Sequence, residues 1–190
     1  MIANKNSPDV SVKDYLEGEL VSPIKHEYRN GQIYAMAGAS NPHVLICLNL
    51  ATLLRNHLRG SGCLVFMSDT KVRLETINSF YYPDIAVSCD ERDTTSVADF
   101  ICYPSLIVEV LSPTTEAFDR GDKFADYRSL STMQEYVLIG QQRMNVDCYR
   151  RDVAGRWVFS SCGEGECLEL ASINFQCPIS ALYEDVPGLS

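Results

Sequence analysis

Two carboxylates lie within stretches of sequence that are otherwise apolar. Asp84 begins the segment PDIAV, and Glu109 is enclosed by aliphatic residues in LIVEVL. An isolated carboxylate in a protein interior is costly, so each must pair with a cation, bind a metal ion or keep a proton. Two such acids on neighbouring core strands indicate a shared ligand. For either acid alone, an ordinary ion pair with an arginine is an equally good interpretation.

Chain order brings a third residue, Lys123, toward these acids. It lies on the helix predicted after the Glu109 strand, and the start of such a helix lies beside the C-terminal end of its strand. Two acids can hold a hard cation while an ammonium group stabilises a developing negative charge or orients a water, which is the chemistry of phosphodiester cleavage. The alternative is that Lys123 is a solvated partner of Asp119, four residues before it.

The remaining polar candidates favour structural interpretations. Tyr127 lies one helical turn after Lys123 and is either a hydrogen-bond donor behind the site or, as we favour, a core residue. The three histidines show neither HxxxH nor HxH spacing, so a histidine metal site is not expected. His43 is interpreted as a polar residue of a helix's first turn rather than a phosphate contact.

A short helix and a hairpin are predicted at the start of the chain. Residues 11–19 begin with a serine that can cap a peripheral helix. The segment HEYRNGQIYAMAG has Asn30-Gly31 between two alternating runs, which indicates a two-residue turn. The hairpin strands are expected near 25–29 and 32–37.

An apolar helix follows the hairpin. Ser40-Asn41-Pro42 is a typical helix start, and the helix should end near Leu58 before two glycines. Residues 43–58 are apolar on most sides, so most of the helix surface must be covered. We therefore expect a homodimer that buries part of this helix or the nearby hairpin.

The rest of the chain alternates strands with one helix. Residues 63–75 predict one bent or two short strands, and a helix should run from about Glu116 to Leu130. The other predicted strands cover 80–89, 104–113 and 135–140, and a closing hairpin 146–162. The final 25 or so residues are interpreted as strand-poor. These elements predict an α/β (α+β) fold with a central mixed sheet flanked by helices.

Size and composition favour one soluble domain. The chain has 190 residues, so we expect a single domain over 1–190, with a core at about 23–160 and peripheral segments at 1–22 and 165–190. Neither a signal sequence nor a membrane-spanning stretch is recognisable, which predicts a cytoplasmic protein with no membrane partner. The eight cysteines form no CxxC pair and are expected to be reduced thiols. A net charge of −9 opposes nonspecific attraction to DNA but does not exclude a local basic cleft.

The order of these motifs resembles a known family. PD at Asp84, Glu109 in EVLS, then DRGDKFADY and EYVLI, together with the early HEYRNG segment, resemble the Uma-type restriction endonuclease family of the PD-(D/E)XK nuclease superfamily. The resemblance spans about Pro23 to Gly140. It implies a restriction-endonuclease-like core, a Mg²⁺ or Mn²⁺ cofactor and DNA as the substrate.

The resemblance also assigns roles to individual residues. Asp84 and Glu109 correspond to the two metal-binding acids, and the backbone carbonyl of Val110 to a further metal contact. The usual lysine two residues after the second acid is replaced by Leu111, so the resemblance implies that Lys123 has taken over its role from the helix. Glu27 lies where the family has an early acid that can add a carboxylate to the metal or position a water. Its alternative is a solvent-facing hairpin residue.

Three different functions are considered from these observations. The first is a magnesium-dependent DNA endonuclease that uses Asp84, Glu109, Lys123 and Glu27. The second is a catalytically weak or inactive nuclease-fold protein that serves as an interaction or regulatory module. The third, a glycosidase with Asp84 and Glu109 as its acid pair, lacks aromatic platforms for a sugar, since Trp157 is the only tryptophan.

Overall fold

The computed structural model describes residues 9–189. Its helices are α1 (Val12–Glu19), α2 (Asn41–His57), α3 (Glu91–Thr94), α4 (Glu116–Phe118) and α5 (Phe124–Tyr127). A π-helical turn, Asp119–Lys123, joins α4 to α5, and short 3-10 helices cover Glu75–Ile77, Ala171–Ile173 and Ile179–Leu182. The strands are β1 (His26–Arg29), β2 (Gln32–Ala35), β3 (Leu64–Met67), β4 (Lys71–Leu74), β5 (Ser79–Tyr81), β6 (Ile85–Ser88), β7 (Phe100–Ile101), β8 (Leu106–Leu111), β9 (Glu135–Gly140), β10 (Asn145–Arg151), β11 (Trp157–Gly163), β12 (Cys167–Leu170) and β13 (Phe175–Pro178).

Two sheets form the framework of the fold. The central sheet has six strands in the order β11-β10-β9-β8-β6-β3, and the second sheet has five in the order β2-β1-β5-β4-β7. In the central sheet β8 and β9 run parallel, whereas β6 runs antiparallel to both β8 and β3. The central sheet is therefore mixed, as the sequence predicts. β12 and β13 form a separate antiparallel pair.

Alternate side chains of β8 face opposite layers of the core. Leu106, Val108 and Val110 belong to the cluster that includes α2 and the C-terminal segment. Ile107 and Leu111 belong to the cluster that includes α5 and the second sheet. Since side chains alternate along a strand, Glu109 points toward the second of these layers. The apolar run of β8 is thus explained by burial on both faces.

Several local predictions are confirmed. The Ser40 hydroxyl accepts from the His43 backbone N–H at the start of α2, and Ser11 caps α1 in the same way. Asn30 and Gly31 both have positive φ, 45° and 90°, and close the β1–β2 hairpin. No helix within residues 9–189 is long and apolar enough to cross a membrane.

The segment FYYPDIAVSC is not one strand. It contains β5 and β6, which belong to different sheets. Pro83 lies between them and cannot donate a backbone hydrogen bond, so the ladder is interrupted there. The linker that carries Asp84 therefore connects the second sheet to the central sheet.

The C-terminal segment is neither strand-poor nor peripheral. It forms β12 and β13, and its apolar side chains belong to the same core cluster as α2. Leu168, Leu170, Ile179 and Leu182 are at most 1% exposed. The predicted periphery at 165–190 is therefore wrong, because this segment covers one side of α2. Residues 1–8 and 190 lie outside the described range.

Two further expectations need correction. Cys63 and Cys89 form a disulfide where β3 begins and β6 has ended, so not all cysteines are reduced thiols. In the antiparallel register Leu64 faces Ser88, which places the two cysteines opposite each other one step further on. The helix predicted over 116–130 ends with α5 at Tyr127 and contains the π-helical turn.

Candidate functional site

The two acids singled out by the sequence are neighbours across adjacent strands. β6 and β8 pair with Ile85 opposite Val108, so one further step places Asp84 opposite Glu109. The Asp84 Oδ2 atom accepts a 2.7 Å hydrogen bond from the Val110 backbone N–H. This bond holds the Asp84 carboxylate against the strand that carries Glu109. The Asp84 side chain is 20% exposed, whereas that of Glu109 is 5% exposed.

Lys123 is buried among three carboxylates. Its Nζ lies 2.8 Å from Glu109 Oε1, 3.2 Å from Glu27 Oε1 and 3.7 Å from Asp119 Oδ1. Only 6% of its side chain is exposed. The interpretation of Lys123 as a solvated partner of Asp119 is therefore wrong, because the same ammonium group also contacts the acids of β8 and β1. We call Glu27, Glu109, Asp119 and Lys123 the buried charge cluster.

The π-helical turn aligns the helix with this cluster. Asp119 and Lys123 are its first and last residues, and Tyr127 follows four residues later. In an α-helix, residues spaced by four drift by about 40° around the axis at each step. A π turn is wider and reduces that drift, so Asp119, Lys123 and Tyr127 all face the sheet and are buried. Such turns occur frequently at functional sites.

Glu27 belongs to the interior, not to the solvent-facing side of the hairpin. Glu27 is 3% exposed, and its Oε1 atom accepts a 3.3 Å hydrogen bond from the Tyr82 backbone N–H. Tyr82 directly precedes Pro83 and Asp84, so the β5–β6 linker contacts both sides of the site. The second sheet thus contributes Glu27, and the central sheet contributes Glu109.

Tyr127 packs in the core, as the sequence favours, and its buried hydroxyl has no hydrogen-bond partner within residues 9–189.

Burial changes the acid–base properties of the cluster. Desolvation raises the pKa of Glu109 well above its ordinary value; the charge of Lys123 opposes this rise, and the negative charges of Asp119 and Asp84 add to it. Desolvation likewise raises the pKa of Asp119. For Lys123, burial lowers the pKa, but Glu109 and Glu27 outweigh burial and raise it overall. Lys123 therefore stays charged, while Glu109 and Asp119 tend to keep a proton.

The raised pKa of Glu109 predicts how stability depends on pH without metal. A carboxyl whose folded pKa exceeds the ordinary 4.5 contributes stability below that pH and loses it as the pH rises through the folded pKa. Glu109→Gln cannot ionise, so it should gain stability relative to the wild type as the pH rises above about 4.5. Thermal unfolding of both proteins in EDTA across this range measures the difference. Parallel stability curves would contradict the buried, proton-retaining carboxyl.

Two residues of α2 also reach the site and were not identified from the sequence. His43 Nε2 lies 2.9 Å from Asp84 Oδ1. Cys47 follows one helical turn later, and ligand atoms of His43, Cys47 and Asp84 all lie within 4.8 Å of one another. Burial raises the pKa of the Cys47 thiol, and Asp84 and Glu109 raise it further. The available signal was the spacing of four between His43 and Cys47, which places both on one helix face.

The oxygen-rich part of the site fits a hard divalent cation. Glu109 Oε1 is buried and accepts no aligned hydrogen bond, although Lys123 lies close by. Buried Glu135 differs: its carboxylate accepts from the Arg150 side chain and from the backbone N–H groups of Ala171 and Ser172. Glu135 is therefore satisfied by protein groups alone. Glu109 and Asp84 offer oxygen ligands of the type that Mg²⁺ and Mn²⁺ prefer.

The chain resembles known proteins in sequence and in fold. Residues 12–180 match the family model Uma2, described as "Putative restriction endonuclease". The uncharacterized protein slr1290 of Synechocystis sp. is 40% identical over 186 residues, which cover 96% of this chain and 97% of slr1290. A second protein of the same organism, sll1609, is 32% identical over 164 residues, covering 85% and 93%.

A crystal structure shares the same fold. It is described as "a putative nuclease belonging to DUF820" from Anabaena variabilis, and it aligns with a TM-score of 0.75 at 16% identity. The alignment covers 92% of this chain and 98% of that chain. At this identity the likeness establishes the fold, and the predicted restriction-endonuclease-like core with a mixed sheet and flanking helices is confirmed.

Proposed function

Because the chain belongs to the Uma2 family, we propose that it is a divalent-metal-dependent DNA endonuclease. Asp84, Glu109 and the Val110 backbone carbonyl would hold Mg²⁺ or Mn²⁺. When bound, such an ion activates a water and neutralises charge on the phosphate. The protein's own groups hold the ligands in place and supply a fixed positive charge.

The excess of buried carboxyl groups over buried cations is the observation that supports this proposal most directly. Three carboxylates of the buried charge cluster face a single ammonium group, and Asp84 adds another carboxylate beside Glu109. A structural ion pair needs one acid for one base, and leaving further acids buried is costly. A divalent cation next to Asp84 and Glu109 would compensate the excess and allow Glu109 to ionise.

Lys123 supplies the positive charge that β8 itself lacks. Leu111 occupies the place of the superfamily's usual lysine and packs in the core. The ammonium group of Lys123 reaches Glu109 from the helix, so it can stabilise negative charge that develops on a phosphate bound at the metal ligands. Glu27 and Asp119 hold Lys123 in position from two sides. Glu27 would also be able to orient a water molecule.

A cleavage assay tests the proposal. Purified protein is incubated with single-stranded, double-stranded and branched DNA at low salt, with saturating Mg²⁺ or Mn²⁺, because a net charge of −9 weakens DNA binding. We expect cleavage that EDTA abolishes. If all three DNA forms stay intact while calorimetry still shows metal binding, the nuclease proposal fails, and the alternative of an interaction or regulatory module replaces it.

We further propose a homodimer that forms through α2 and β3. Val44 and Leu48 lie one turn apart on the outer face of α2 and are 51% and 52% exposed. β3 is an edge strand of the central sheet and exposes Leu64. A second copy of the chain carries the same apolar face, so a two-fold symmetric dimer would cover this face on both subunits.

Leu48→Glu should therefore convert a dimer into a monomer, because it places a charge in the proposed apolar interface. Light scattering at micromolar concentration measures the mass. Val97→Glu is the matched control, since Val97 is fully exposed on another part of the surface. A monomeric wild-type protein would contradict the proposal.

A further inference from the structure

A second group of possible metal ligands lies at the N-terminal part of α2. It consists of His43, Cys47 and Asp84, and within residues 9–189 it is the one group of three or more histidine, cysteine and acidic side chains whose ligand atoms converge within 4.8 Å. His43 and Asp84 are partly buried, and Cys47 is buried. The three side chains thus line a sheltered position where α2 meets Asp84.

The spacing of these atoms is compatible with tetrahedral coordination. Bonds of about 2.0 Å to nitrogen and oxygen and about 2.3 Å to sulfur put tetrahedral ligand atoms roughly 3.3 to 3.5 Å apart. His43 Nε2 and Asp84 Oδ1 are 2.9 Å apart, and both lie within 4.8 Å of the Cys47 sulfur. Adjustments that range from a few tenths of an ångström to at most about 1.3 Å would therefore complete a three-ligand site.

The types of ligand decide which ion would bind here. A set of one imidazole, one thiolate and one carboxylate favours Zn²⁺ and similar ions, such as Co²⁺, over Mg²⁺. The buried charge cluster offers only oxygen atoms as ligands. The two groups of ligands therefore differ in their preference for metal ions.

We propose that His43, Cys47 and Asp84 form a binding site for a zinc-class divalent cation, which shares Asp84 with the proposed magnesium site but takes its other two ligands from α2. His43 and Cys47 extend from one helix face at a spacing of four, which fixes their separation independently of the sheet. Asp84 completes the site from the β5–β6 linker. Three protein ligands leave a fourth position for water.

Cobalt(II) provides a direct spectroscopic test. Metal-free protein titrated with Co²⁺ should develop a thiolate-to-cobalt charge-transfer band with one ion per chain. Cys47→Ser should lose this band, and His43→Gln should weaken cobalt binding by about 100-fold. Zn²⁺ should raise the Tm of the wild type and leave that of Cys47→Ser nearly unchanged. None of these measurements depends on whether the protein cleaves DNA.

Cys148→Ser is the matched control, because Cys148 is a buried free cysteine of the same core cluster away from His43 and Asp84. It should keep both the band and the response to Zn²⁺. His43 is partly exposed, so His43→Gln tests the site even if Cys47→Ser fails to fold. A charge-transfer band that persists in Cys47→Ser or is unaffected in His43→Gln would overturn the proposal, as would the absence of any band in the wild type.

Discussion

Asp84→Ala and Glu109→Gln are each expected to reduce DNA cleavage by about 10³-fold or more. Asp84 directly precedes β6 and Glu109 lies on the neighbouring β8, and each substitution removes a carboxylate that we propose as a ligand of the same metal ion. A metal ion contributes several kcal/mol of charge stabilisation to phosphodiester cleavage, and each 1.36 kcal/mol corresponds to a factor of ten in rate. Rates measured at saturating Mn²⁺, together with calorimetric metal affinity, should fall in both variants.

Glu135→Gln is the control for a buried carboxylate of structural role. Glu135 lies on β9, which pairs in parallel with β8, and its hydrogen bonds connect to Arg150 and to the Ala171–Ile173 turn. This variant should lose stability, by about 1 to 3 kcal/mol, because donors are left without an acceptor. It should retain cleavage when folded. Wild-type cleavage by Glu109→Gln would contradict the assigned role of Glu109.

Lys123→Ala is expected to lower cleavage by about 10² to 10³-fold and to destabilise the protein by about 3 to 5 kcal/mol in EDTA. The loss of rate follows from the missing positive charge near the phosphate. The loss of stability follows because Glu27, Glu109 and Asp119 stay buried without their common partner. Mg²⁺ should restore part of the stability, since it supplies positive charge to Glu109.

Two comparisons separate these effects. Lys123→Arg should recover little activity, because a planar guanidinium group differs in reach and shape from a compact ammonium group. Lys13→Ala removes an exposed lysine that also pairs at a spacing of four, with Glu17, and should change neither property noticeably. Denaturant unfolding with and without Mg²⁺ measures stability. A Lys123→Ala protein as stable as the wild type in EDTA would contradict the importance of the buried charge cluster.

The parts of the fold that local chemistry determines could be predicted from the sequence. The Asn30-Gly31 turn and the Ser40 cap depend on a few adjacent residues, and both are present. The C-terminal hairpin also has a local signal, because apolar residues stand at every second position: Leu168 and Leu170 in one strand, Phe175 and Cys177 in the other. Its coverage of α2, however, depends on tertiary packing. Strand alternation alone does not reveal which layer a segment covers.

The candidate site was predictable only in part for a related reason. The positions of Asp84, Glu109 and Lys123 followed from strand and helix order. The approach of His43 and Cys47 to Asp84 follows from the way α2 packs on the central sheet, which no sequence spacing specifies. The burial of Glu27 likewise depends on the two sheets meeting, because β1 belongs to the second sheet and Glu109 to the central one.

The division of the site between two sheets also links its assembly to the order of folding. Glu27, Asp84, Glu109 and Lys123 come from segments far apart in the chain, and contacts between distant segments generally form late. A nascent or partly folded chain with one sheet in place would keep these charges hydrated and apart. Metal affinity would then appear together with the final docking of the sheets, so a bound ion would stabilise the completed fold and report that folding had finished.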